Sequence, residues 1–209
     1  MIARPALRRA LCTLCTLATL GTSASILVPT RAAATTILPL DLAALTSAAD
    51  RVFKGTVVAT RSGRDGRGLP ATWTTFAVEE SVKGTLPRTI EIKQIGTDAP
   101  LADGAIYRVP ALPHYQVGDE VILFLHPDSA AGFTSPVGLG QGRFRVRHGH
   151  GAATAENDVG NVNLRTPARA ALARGALGAG TVAAPAPAAA PIPVDDLMGQ
   201  IRALAGAPR

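Results

Sequence analysis

Gly118-Asp119-Glu120-Val121-Ile122-Leu123-Phe124-Leu125 is a turn followed at once by an apolar run that ends at His126-Pro127. A run this short, bounded by Gly and Pro and rich in branched and aromatic side chains, reads as a strand. It is apolar on both faces, so other elements must cover both. It therefore predicts the centre of a β core, with the remaining apolar segments as neighbours.

Working outward towards the N-terminus, residues 88–95 alternate, with Ile90 and Ile92 inward and Glu91 and Lys93 outward. Residues 71–82 place Thr74, Phe76 and Val78 on one face and Trp73, Thr75, Ala77 and Glu79 on the other, until Lys83-Gly84 stops them. Residues 51–60 are dominated by β-branched side chains, and Gly55 marks a bulge or tight bend. The charged, glycine-rich residues 61–70 join these two strands as a solvated hairpin loop. Asp41 is placed to cap a short helix whose Leu42 and Leu45 share a face. Between the third strand and the central one, residues 96–117 carry Pro100, Pro110 and Pro113 and read as an elaborated loop, a usual place for binding function.

On the C-terminal side, residues 132–137 read as a short strand weakened by Pro136. Gly138-Leu139-Gly140-Gln141-Gly142 bends the chain into Arg143-Phe144-Arg145-Val146-Arg147, with Phe144 and Val146 inward and three arginines outward. Five or six short strands without a long helix between them predict a mainly β fold. The expected form is a small antiparallel OB-like barrel with a short helix at each end. Its expected core includes Val52, Val57, Phe76, Val78, Ile90, Ile92, Val121, Leu123, Phe124, Phe144 and Val146.

The expected organisation is a signal peptide over 1–34, a β-barrel domain over 35–165, an Ala/Pro/Gly-rich linker over 166–193 and a short amphipathic helix over 194–209. The first segment has the order of a secretory signal: Arg4, Arg8 and Arg9, then an apolar stretch over 10–28, then Arg31-Ala32-Ala33-Ala34 with small residues where a peptidase reads. Threonines, serines and Gly21 interrupt the apolar stretch, which makes it a poor membrane span. Both cysteines, Cys12 and Cys15, fall inside it, so the mature chain is expected to have no disulfide, thiol nucleophile or cysteine metal ligand. Its removal takes four of the 21 basic residues and none of the 15 acidic ones, so the net charge falls from +6 to +2. That balance does not point to nucleic acid. In the terminal helix, Leu197, Ile201 and Leu204 form one stripe behind Asp195 and Asp196.

Four motifs follow one another: Ala49-Asp50-x-Val52-x-x-Gly55-x-Val57, Lys83-Gly84, Gly118-Asp119-x-Val121-x-x-Phe124-Leu125 and Gly138-x-x-Gln141-Gly142-x-Phe144-x-Val146. In this order they resemble a group of functionally uncharacterised exported bacterial β-barrel proteins, over about residues 40–147. More distantly the order is similar to the OB-like barrel of the tissue inhibitors of metalloproteinases and netrin-type modules. The first resemblance implies an exported, periplasmic or extracellular protein. The second implies a protease-inhibitor-like module, but those inhibitors use an N-terminal cysteine and disulfides, which the expected mature chain lacks.

Candidate sites are few. Arg143, Arg145 and Arg147 alternate, so an extended chain aligns three guanidiniums on one face, a stripe suited to phosphate or acidic polysaccharide. Glu79 or Glu91 could partly neutralise it. The 96–117 loop adds Ile106, Tyr107, Leu112 and Tyr115, apolar surface for a small interface. The expected binding residues are therefore Tyr107, Tyr115, Arg143, Arg145 and Arg147.

His148-Gly149-His150 with Glu156 or Asp158 lacks a fixed third metal ligand and reads as a polar turn. The 138–142 glycines lack the lysine and helix of a phosphate loop. Ser81 and Ser135, with His114 or His126, show no nucleophile-elbow pattern, and Glu79-Glu80 reads as a strand end. The expectation is a non-catalytic binding module for a protein or envelope polymer, without cofactor, metal or nucleic acid. A structural or assembly accessory of the envelope is the alternative.

Overall fold

The computed structural model describes residues 38–165 and 190–206. The expected signal peptide with Cys12 and Cys15, and residues 166–189 of the expected linker, lie outside the described residues.

Asp41 opens helix α1 (Leu42–Ala48) by accepting the Ala44 N–H at 2.8 Å, and Leu42 and Leu45 turn inward. Seven residues do not hold a helix alone. Lys83 secures its far end by donating to the carbonyls of Thr46 at 2.8 Å and Ala49 at 2.5 Å. Gly84 follows at φ +78°, where an added Cβ would lie 3.3 Å from Asp50 O. The Lys83-Gly84 pair is thus a clamp that joins the second strand to the end of α1.

Strands β1 (Arg51–Arg64) and β2 (Pro70–Lys83) make a long antiparallel hairpin, with register shifts at Val52/Phe53, Lys54/Gly55 and Val57/Ala59. A Cβ on Gly55 would stand 2.5 Å from Ala77 O, so the bend expected there has a steric cause. Strand β3 (Thr89–Ile95) pairs with β2, and β4 (Glu120–Leu125) pairs with β1. Beyond β4 come β5 (Arg143–Arg147), β6 (Thr154–Asn157), the one-turn α2 (Val162–Arg165), β7 (Ile192–Pro193) and α3 (Val194–Gly206). The strands form one sheet in the order β3-β2-β1-β4-β5-β6-β7, with every neighbouring pair antiparallel.

The central strand is covered on both sides. Ile122 and Phe124 pack with Val52 and Phe144 beneath α1 and α3; Val121, Leu123 and Leu125 pack with Phe53, Phe76, Ile92 and Tyr115 on the other face. The expected core divides accordingly: Val52, Phe124, Phe144 and half-buried Val146 lie under the helices, and Val57, Phe76, Val78, Ile90, Ile92, Val121 and Leu123 lie opposite. Burying a side chain such as Leu123 stabilises by about 1.5–3 kcal/mol.

The mainly β antiparallel fold with short helices near its ends is as expected, but the sheet does not close into a barrel and has seven strands rather than five or six. Instead of pairing with β3, β5 extends the ladder to β6 and β7, which were not read from the sequence. Residues 132–137 form a single bridge, Leu125 to Pro136, and proline has no N–H with which to continue a ladder. One backbone bond from this segment, Thr134 N–H to Lys93 O at 2.9 Å, reaches β3.

Helix α3 docks on the body through Val194, Leu197, Met198 and Ile201, while Leu204, expected on the same stripe, is 37% exposed. Arg202 adds hydrogen bonds to both Glu80 carboxylate oxygens, at 2.7 and 3.0 Å. They hold the Glu80 carboxyl below the ordinary glutamate range, against the upward pull of partial burial.

Candidate functional site

Strand alternation sets Arg143, Arg145 and Arg147 on one face of β5, but the structure gives them different surroundings. Arg143 is 2% exposed. Its Nη2 lies 2.5 and 2.6 Å from the Asp158 carboxylate oxygens, and its Nη1 donates to His114 O at 2.6 Å. The turn after β6 carries Asp158 over the start of β5, and a Cβ on Gly140 would stand 2.7 Å from Asp158 Cβ. Arg143 is therefore a tie between β5 and two loops, and the expectation that it faces solvent is corrected.

Tyr115 is corrected for the same reason. It is 3% exposed, packs edge-to-face on Phe76 at 5.3 Å, and sits with the Arg143 guanidinium 5.5 Å from its ring centre. Burial pushes its phenol above the ordinary 10.0. The Tyr115 hydroxyl and Arg143 Nε are both buried without a hydrogen-bond partner among the described residues.

Arg145 and Arg147, by contrast, are exposed, and neither has an ion pair among the described residues. The two acids expected to neutralise them are engaged elsewhere: Glu79 with Lys54 at 2.5 Å, Glu91 with Arg61 at 3.2 Å. With Val146 and His148 the two arginines form one wall of a cleft of about 390 Å³. The turn from His114 to Glu120 forms the other wall. Gly118, at φ +94°, lets this turn lead directly into β4.

The acids of the cleft have partners within the chain. Glu120 pairs with Lys54 at 2.6 Å and with His148 Nε2 at 2.5 Å, and Asp119 accepts the Gln116 N–H at 2.8 Å. Partial burial pulls the Glu120 carboxyl upward, but the bonds from His148 and Lys54 outweigh it and hold the group below its ordinary value. Lys54 is displaced the other way: burial lowers it, and hydrogen bonds to Glu120 and Glu79 raise it further. His114 Nδ1 bonds Asp98, behind the cleft. By register Glu156 is the cross-strand partner of Arg145 on β6.

Tyr107 is not brought to this cleft. It is 39% exposed and lies at the β1–β2 hairpin, where Arg64 stacks 5.3 Å from its ring centre and donates to its hydroxyl at 3.1 Å. Of the five expected binding residues, only Arg145 and Arg147 are placed together at an exposed surface.

The remaining motifs are structural. Gln141 is buried in the turn over Leu139–Gly142, where its side chain accepts from Leu40 N–H at 2.8 Å and donates to Leu38 O at 3.1 Å. Asn163 donates to Leu40 O at 2.6 Å and is linked through Asn157 to Gln141 O. A Cβ on Gly142 would come within 2.3 Å of Val137 O, so its glycine serves close packing rather than an anion. Ser81 donates to Gly84 O at 2.7 Å. Among the described residues, no three His, Cys, Asp or Glu side chains converge as a metal would require.

Sequence reasoning did not bring His114, Glu120 and His148 together at one cleft. No local signal joins Glu120 to His148, because they meet only when β4 and β5 pair. Compared with family models and with curated proteins, the chain matches none.

Proposed function

We propose that this chain is an exported, non-catalytic binding module. It offers the cleft between the 114–120 turn and the end of β5 to a protein or an envelope polymer. The observation that carries this reading is the contrast of charges in the cleft. Its acids are occupied by partners within the chain, and Arg145 and Arg147 have no ion-pair partner among the described residues. Guanidiniums at the end of a strand, beside a turn on the same scaffold, make a contact surface whose backbone is already ordered.

Export rests on the basic, apolar and small-residue order of residues 1–34. An intact mass beginning near Thr35, on protein recovered from the envelope or medium, supports it, and a full-length mass counts against it. Binding is tested by crosslinking the recovered protein in envelope extract, with Arg145→Ala/Arg147→Ala compared with Tyr107→Ala. Partners lost only in the double variant support the cleft; partners kept by it overturn the reading. The alternative is a structural or assembly accessory of the envelope, tethered through the linker and the terminal helix; the burial of Leu197 and Ile201 against the body leaves less apolar surface there for a partner.

A further inference from the structure

Resting on that reading, we infer that the cleft takes a linear polyanion, a flexible chain carrying repeated carboxylate or phosphate groups, along the outer face of β5. Arg145 and Arg147 are two residues apart on a strand, so their Cα atoms are about 7 Å apart and their guanidiniums face the same way. Two forked donors at a fixed interval match anions repeated along a chain better than one isolated charge.

The rest of the cleft narrows the ligand class. Among the described residues that line it, the only aliphatic one is half-buried Val146, and the only rings are the imidazoles of His114 and His148. An apolar ligand has little to displace water against, and a nucleobase finds only two imidazoles, each already bonded to a carboxylate, rather than a Phe, Tyr or Trp platform. His148 is exposed beside Arg147 and already donates to Glu120, so this end of the cleft carries donors rather than open acceptors. Asp119 and Glu120 line the same cleft and Glu156 lies across from Arg145 on β6, yet none of the three forms an ion pair with Arg145 among the described residues. With a mature net charge of only +2, general attraction is weak, and affinity depends on these two arginines.

The test measures binding of labelled polygalacturonate, poly(glycerol phosphate), neutral dextran and oligothymidine to the exported chain, between about 50 and 200 mM salt. At least one of the two envelope-type polyanions should bind, neutral dextran should not, and the arm that binds identifies carboxylate or phosphate as the anion. Each of Arg145→Ala and Arg147→Ala should weaken binding about tenfold and reduce the salt slope by about 0.7–1. Glu156→Gln, which removes the carboxylate across from Arg145, should tighten it. Melting of each variant within the range of the parent excludes misfolding as the cause.

Failure of both polyanions to bind, equal binding of dextran, or a salt slope unchanged in the arginine variants overturns the inference. Tighter binding of oligothymidine than of either polymer overturns it in favour of nucleic acid. If both polymers fail while crosslinked partners are still lost with Arg145 and Arg147, the binding-module reading stands and only the polyanion is wrong.

Discussion

The two ends of β5 carry the same residue in the same alternation and use it in opposite ways. At the root, Arg143 is enclosed by Asp158, His114 O and the Tyr115 ring, next to the amide network of Gln141, Asn157 and Asn163. At the tip, Arg145 and Arg147 project into an open cleft. The difference comes from what folds over the strand. The turn after β6 covers the root, and the chain leaving β5 through His148 does not cover the tip. An arginine stripe therefore stays open to solvent only where no loop returns to it.

The largest effect should come from breaking the root. Arg143→Ala leaves Asp158 without its cation and is expected to destabilise by about 3–5 kcal/mol in chemical denaturation. A loss below 1 kcal/mol would mean that the root is no more committed to the fold than the tip. Next is Gln141→Ala, which strands the backbone groups of Leu38 and Leu40. It should cost about 1–3 kcal/mol and open residues 38–41 to proteolysis before global unfolding. Unchanged cleavage there would separate the amide network from the strap it holds.

At the tip, the Glu120 carboxyl is held below its ordinary 4.5, so its folded form binds protons less readily than its unfolded form. Its contribution is present above about pH 4.5 and lost as pH falls through the lower folded value. The melting difference between the parent and Glu120→Gln should shrink in acid, and a difference that grows there would contradict the His148–Glu120–Lys54 chain. The smallest effect is Arg147→Ala, expected to change stability by no more than about 0.5 kcal/mol while changing salt-dependent binding. A destabilisation comparable to Arg143→Ala would erase the distinction between the two ends.

Particular residues show how far the sequence reaches. Period-two alternation placed Phe76, Ile90, Ile92 and Phe144 inward, and each is buried. The same alternation could not separate Arg143 from Arg145, because burial of Arg143 depends on Asp158, 15 residues later. Tyr115 reads as contact surface because prolines surround it in a loop, yet Phe76 and Arg143 draw it into the core. Strand β6 escaped notice because Thr154-Ala155-Glu156-Asn157 has only one apolar residue, and its pairing with β5 rather than its composition makes it a strand.

By itself the sequence determined what neighbouring residues decide: the cap at Asp41, the bend at Gly55, the inward and outward faces of the first strands, and a central strand apolar on both sides. Each of these follows from backbone sterics or from a repeat of two along a few residues. Tertiary structure alone decided that the sheet stays open, that α3 docks beside α1, that Gln141 grips Leu40 from 101 residues away, and that Arg202 reaches Glu80 across 122. These depend on which distant segments meet, and a polar or charged side chain becomes tie or surface only when its neighbours in space are settled.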